Sequence, residues 1–133
     1  MRLLKLEIVN YTEIKTTPIK GTNKVRLIDS VYYTTKIHDY LIRHKVNSGF
    51  KFDGASIPQA FWSAVGHPFQ NEYLAAACLH DWHYGGNEKH VSRKYADDLF
   101  YFILRHDGVN IFRARKMWLS VRLFGGKYWK GKS

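Results

Sequence analysis

Ala75-Ala76-Ala77-Cys78-Leu79-His80-Asp81-Trp82-His83-Tyr84, closed by Gly85-Gly86-Asn87, is the stretch whose reading decides the fold. A helix is expected from about Asn71 to Tyr84, with the glycines ending it. Its run of small residues from 75 to 78 lets another element approach closely. Helical patterns continue towards the C-terminus. One begins near Ser92, a capping residue, runs to about His106 and stops at Asp107-Gly108. Another covers about Ile111 to Phe124 and stops at Gly125-Gly126. Upstream, Ser56-Ile57-Pro58-Gln59 reads as a helix start, with serine to cap, proline in the first turn and glutamine to answer the cap. Gly66-His67-Pro68 closes that short helix.

Residues 1 to 55 carry a different period. Leu4, Leu6 and Ile8 alternate with Lys5, Glu7 and Val9. Val25, Leu27 and Val31 recur between Arg26, Ile28 and Ser30. Tyr40, Ile42, His44 and Val46 alternate with Leu41, Arg43 and Lys45. Period two places one face on a core and the other towards solvent. Pro18 and Gly21-Thr22-Asn23 break the first strands, and Asn47-Ser48-Gly49 ends the last. Strands followed by helices predict an α+β fold: a small antiparallel N-terminal sheet packed with three to four C-terminal helices. The 133 residues make one domain over 1–126 and a short basic tail over 127–133.

Composition narrows the class. One cysteine, Cys78, excludes an intrachain disulfide framework and a Cys-based zinc finger, and its apolar surroundings make it a core residue. No segment is apolar for long enough to span a membrane. Charges in Met1-Arg2-Leu3-Leu4-Lys5-Leu6-Glu7 argue against a secretory signal peptide. The net charge of +10 suits an anionic partner (nucleic acid, lipid headgroups or an acidic protein), or it serves solubility alone. The excess gathers at the C-terminal end, in Arg113, Arg115, Lys116, Lys127 and Lys130, with Trp118, Phe124, Tyr128 and Trp129 interleaved. That end fits a membrane surface or a phosphate backbone. The plainer reading has Met117, Trp118 and Val121 as core and the basic groups as a solvated face.

The chemistry-bearing residues fall in three segments. The first is Gly49 to Pro58, which includes Asp53. The second is the helix quoted above, and the third is Ala96-Asp97-Asp98-Leu99-Phe100. On a helix His80 and Tyr84 share a face. A short connection from Gly85 to Val91 makes the next helix antiparallel and brings Asp97 opposite. A histidine can take a proton from water, and a carboxylate on its far nitrogen fixes the tautomer. His80 is then the base and Asp97 its partner, with Asp81 and Asp53 as ligands for a hard divalent ion. A zinc set would use His80 and His83 with Asp97 or Asp53, but i, i+3 is not the commoner i, i+4 spacing, which ranks zinc low. The bland alternative is an interhelical tie through His80 and Asp97, with Asp53-Gly54-Ala55-Ser56 a tight turn. There is no Gly-rich phosphate loop, serine elbow or Walker-type lysine.

Gly49, Phe50, Asp53, Gly54, Ala55, Ser56 and Pro58, then His80, Asp81 and Tyr84, then Ala96, Asp97 and Phe100 resemble a phage and prophage family known as domain of unknown function 1353, over about residues 25 to 125. The resemblance implies a phage context, with the chain in the virion or the cytoplasm of an infected host and other phage structural proteins as partners. Residues 74 to 100 also look like the paired helices of secreted and parvoviral phospholipases A2. That resemblance implies a histidine that activates water (His80), a calcium-binding neighbour (Asp81) and an orienting aspartate (Asp97) bonded to Tyr84. The chain lacks that family's Tyr-Gly-x-Gly calcium loop, for which Gly49 to Ala55 stands at a different spacing. Together these point to a metal-assisted hydrolase acting on lipid or a cell-envelope component. The alternative is a virion or tail structural or adaptor protein without catalysis.

Overall fold

The computed structural model describes residues 2–22, 24–52 and 71–131. Six strands come first: β1 (Leu6–Tyr11), β2 (Thr16–Pro18), β3 (Val25–Leu27), β4 (Val31–Ile37), β5 (Tyr40–Val46) and β6 (Lys51–Phe52). Three helices follow: α1 (Asn71–Tyr84), α2 (Arg93–His106) and α3 (Ile111–Phe124), with a 3-10 turn over Gly125–Tyr128. The fold is α+β. The short helix expected after Ser56 lies outside the described residues, as does Asp53.

The strands form two three-stranded antiparallel sheets, ordered β1-β4-β5 and β2-β3-β6, where a single sheet was expected. The apolar repeat from Val25 to Val31 is divided between them. β3 ends at Leu27, and the chain bends through Ile28-Asp29-Ser30 before β4 starts at Val31. Ser30 Oγ holds the bend by accepting the Ser48 amide at 3.1 Å. Leu27 and Val31 are both buried, so the period survives a change of sheet and the sequence carries no mark of it. The β4–β5 hairpin turns through His38 at a φ of 54°, the positive value a two-residue turn needs. Pro18 sits on edge strand β2, where its missing N–H costs no ladder bond.

The helices end where their caps allow. Ser92 Oγ accepts the Tyr95 amide at 3.0 Å, and Asn110 Oδ1 accepts the Arg113 amide at 2.9 Å. Gly86 stops α1 at a φ of 76°, and Gly108 follows α2 at 98°. Ala75, Ala76, Ala77 and Cys78 are buried, and α2 packs against α1, α3 and β1. The core joins both layers: Leu27, Val31, Val46 and Phe52 from strands, Leu79, Leu99, Ile103, Leu104, Met117 and Val121 from helices. Part of the basic tail returns to α1. Lys130 donates its amide to the Tyr84 carbonyl at 2.9 Å, and Trp129 meets the Tyr84 ring edge-on at 5.1 Å. Among the described residues no helix is long and apolar enough to cross a membrane.

Candidate functional site

Asp97 is the point where the three helices meet. Its side chain is fully buried in α2. Oδ1 accepts from His80 Nε2 at 2.7 Å and from the Tyr84 hydroxyl at 2.6 Å, both on α1. Oδ2 accepts from Arg122 of α3 at 2.7 Å. His80 meets Asp97 while the later Tyr84 meets the earlier Arg93, as an antiparallel helix pair requires. Arg93 donates to the Tyr84 hydroxyl at 3.0 Å and to the Val121 and Arg122 carbonyls at 2.9 and 2.8 Å. It thereby ties α2 to carbonyls in the last turn of α3, where the Val121 oxygen also accepts the Gly125 amide. Gly125 completes the cradle, since a Cβ there would stand 2.8 Å from the Tyr84 hydroxyl.

Electrostatics set the protonation states. Burial pushes the Asp97 carboxyl up, but the His80 bond and charge and the Tyr84 and Arg122 bonds together outweigh burial and hold it below the usual carboxylate range. Burial, and then the Asp97 charge and hydrogen bond, push the Tyr84 phenol well up, so it stays a donor. An ionised carboxylate only accepts, so His80 carries its proton on Nε2 and its lone pair on Nδ1. Nδ1 is buried and has no hydrogen-bond partner among the described residues. The His80 ring is clamped between Tyr84 at 4.1 Å and Phe100 at 4.8 Å. The arrangement can hold a neutral imidazole in one tautomer and stabilise its protonated form.

Of the remaining expected ligands, Asp53 lies outside the described residues, and Asp81 and His83 have different surroundings. Asp81 is half-buried and borders a cavity of about 230 Å³, with Tyr84, Lys24, Lys51 and Lys130 around it. Calcium takes six to eight oxygens, and among the described residues this cavity offers one carboxylate beside three lysines, with Asp53 outside them. His83 does not join His80 on a zinc set. Its Nε2 lies 3.2 Å from Nδ1 of His44 on β5. Burial lowers His44 to about 4, and burial followed by the His44 and His80 charges takes His83 well below its ordinary value. The sequence gives no sign of this meeting, because a strand residue has no helical spacing to a partner on α1. Nor does it single out Asp98, which accepts from the Leu4 amide at 2.9 Å, the Trp118 indole at 2.8 Å and Lys94, tying the N-terminus to α2 and α3.

The basic residues face outward. Arg115, Lys116, Lys127 and Lys130 are exposed, and the exposed Arg113 donates to the Tyr73 hydroxyl at 3.1 Å. Met117, Trp118 and Val121 are core, as the plainer reading has it. The outer face of α3 also carries Phe112, Leu119 and Leu123, exposed by 71, 50 and 65%. These residues recur at helical spacing beside Arg115 and Lys116.

Comparison with known proteins places the three motifs in a wider group. The family described as "Protein of unknown function (DUF1353)" matches residues 25–121, from β3 through most of α3. The chain is similar to the uncharacterized protein y4jT of Sinorhizobium fredii (strain NBRC 101917 / NGR234), at 34% identity over 84 residues. It is also similar to the uncharacterized protein y4iH of the same organism, at 32% over 85 residues. Each alignment covers 63% of this chain but only 24% and 34% of those relatives. No solved structure gives a significant match. The matched span contains His80, Tyr84, Arg93 and Asp97, with Arg122 and Gly125 just beyond it, and the chain belongs to the DUF1353 family.

Proposed function

We propose that the chain is a hydrolase in which His80 activates water against an ester-type bond of a lipid or cell-envelope component. The observation that carries the reading is the pair of unequal His80 nitrogens. Nε2 is held by an ionised, fully buried carboxylate, while Nδ1 bears a lone pair with no partner among the described residues. His80 Nδ1 takes the proton of water as the oxygen adds to the substrate carbonyl, and later returns it to the leaving oxygen. Asp97 stabilises the imidazolium formed between those steps, and Tyr84 and Arg122 hold Asp97 ionised. These are the roles the phospholipase resemblance implies for His80, Asp97 and Tyr84. Arg115, Lys116, Lys127 and Lys130, with Phe112, Leu119 and Leu123, would seat the molecule on an anionic surface in an infected host.

The test is release of fatty acid from phospholipid vesicles and of soluble fragments from isolated cell envelopes, with calcium, with zinc and with chelator. Wild type should turn over one of these substrates. His80→Gln, with its fold checked by circular dichroism, should lose about 10²–10⁴-fold. Wild type inert on both substrate classes under all three conditions would remove the hydrolase reading. A second reading, a virion or tail adaptor that docks through α3, is favoured by the exposed apolar residues on that helix. It requires the chain in purified particles at stoichiometric copy number, with His80→Gln particles still infectious.

A further inference from the structure

His44 on β5, His83 on α1 and Glu88 in the α1–α2 connection bring two imidazole nitrogens and a carboxylate oxygen within 4.8 Å of one another. An acceptor-only carbonyl stands at the far end of the cluster. Thr35 Oγ1 reaches the Ile42 carbonyl at 3.4 Å and the Tyr95 hydroxyl at 2.6 Å, and a Thr35 proton given to the carbonyl leaves Thr35 to accept from Tyr95. In that arrangement the Tyr95 oxygen accepts from His44 Nε2, 2.7 Å away. This makes His44 the Nε2–H tautomer, the form in which Nδ1 can bind a metal, and His44 Nδ1 stands 3.2 Å from His83 Nε2. A hydroxyl that receives the far N–H of an imidazole, and so aims its other nitrogen, is the arrangement that orients histidine ligands at metal centres.

The spacing of the two histidines fits an ion. Two nitrogens bound to one zinc at about 2.0–2.1 Å and a tetrahedral angle stand about 3.3 Å apart, and the His44–His83 pair stands at 3.2 Å. Two histidines and a glutamate are a donor set that zinc accepts, with the fourth position left to water. A cavity of about 460 Å³ bordered by His44, Glu88 and Tyr95 supplies room for that water. We propose that His44, His83 and Glu88 form a site for one zinc-class divalent cation, linking the β1-β4-β5 sheet to α1 and to the connection that leads into α2.

With His44 in that tautomer, His83 Nε2 donates its proton to His44 Nδ1 in the metal-free chain. Binding moves that proton to His83 Nδ1, so that both ligands remain neutral imidazoles. Nδ1 has no competing partner among the described residues. Glu88 now accepts from the Trp82 indole at 3.4 Å, a long bond that its carboxylate can give up or keep on one oxygen. The site uses neither Asp97 nor the free nitrogen of His80, so it does not depend on the hydrolase reading.

The test is calorimetric titration of the chelator-stripped full chain with zinc chloride, repeated with cobalt chloride and read by visible absorption. One equivalent should bind, cobalt should give the intense visible bands of a four-coordinate ion, and the melting midpoint should rise with zinc concentration. Glu88→Gln, half-buried and outside the helices, should weaken binding at least tenfold without loss of fold. Tyr95→Phe should weaken it by about 10–100-fold, because His44 loses the group that sets its tautomer. His38→Ala and His106→Ala, outside the cluster, should change nothing. Absence of saturable binding, unchanged affinity in both Glu88→Gln and Tyr95→Phe, or loss in His38→Ala or His106→Ala would overturn the proposal.

Discussion

Asp97→Asn isolates the charge at the centre of the helix junction. The amide keeps an oxygen where Oδ1 accepts from His80 and Tyr84, and puts an NH₂ against the Arg122 donor that Oδ2 receives at 2.7 Å. Removing one partner of a buried ion pair costs about 3–5 kcal/mol. The Arg122 side chain is 27% exposed and recovers some hydration, which argues for the lower end, about 3 kcal/mol. With an unfolding entropy of about 2.1 cal/mol/K per residue, 133 residues carry about 0.28 kcal/mol/K, so the midpoint should fall by about 11 °C. Tyr84→Phe, which removes one hydrogen bond to a charged group, should cost about 2 kcal/mol or about 7 °C. Thermal unfolding followed by circular dichroism at pH 7 reads both. The pH dependence supplies a second check. A carboxyl held below its unfolded value stabilises the fold above that value and loses the contribution as pH falls through the folded one. The gap between wild type and Asp97→Asn should therefore be full at neutral pH and shrink below about pH 3.9. A variant melting within about 2 °C of wild type at pH 7 would refute Asp97 as the hub.

Gly125→Ala should destabilise by about 1–3 kcal/mol in the same assay, because its Cβ would meet the fixed Tyr84 hydroxyl at 2.8 Å; an unchanged midpoint would mean that Tyr84 is not clamped there. Cys78 is buried and its thiol is pushed well up by burial, then by the Asp81 charge, so a thiol reagent should label it only after denaturant is added. Rapid labelling of the native chain would contradict that burial. Arg115→Ala with Lys116→Ala should lower partitioning onto anionic vesicles by about 30-fold at low salt, at about 1 kcal/mol per basic residue. Equal binding of the double variant and wild type would remove α3 as the contact.

The helices and their ends were legible because their determinants are local. Ser92 caps α2 as expected, the glycines after Tyr84 and His106 stop the helices, and the bounds of all three follow from period and punctuation. The His80–Asp97 meeting was legible for the same reason: a short connection makes neighbouring helices antiparallel and fixes which residues oppose each other. The number of sheets was not, since alternation reports which face is buried and says nothing of which strand lies alongside. Asp98 and Asp97 are adjacent and alike in sequence, yet one ties the N-terminus to Trp118 and the other collects His80, Tyr84 and Arg122.

By itself, then, the sequence determined the α+β class, the helix bounds and the pairing of His80 with Asp97, all consequences of spacing within or between adjacent segments. Only the tertiary structure decided which nitrogen of His80 is left without a partner. Only it decided that Arg93 and Arg122 complete the junction, and that a strand histidine faces His83. Those contacts join residues 9 to 39 positions apart through the packing of separate elements, and no local pattern in the chain encodes such distances.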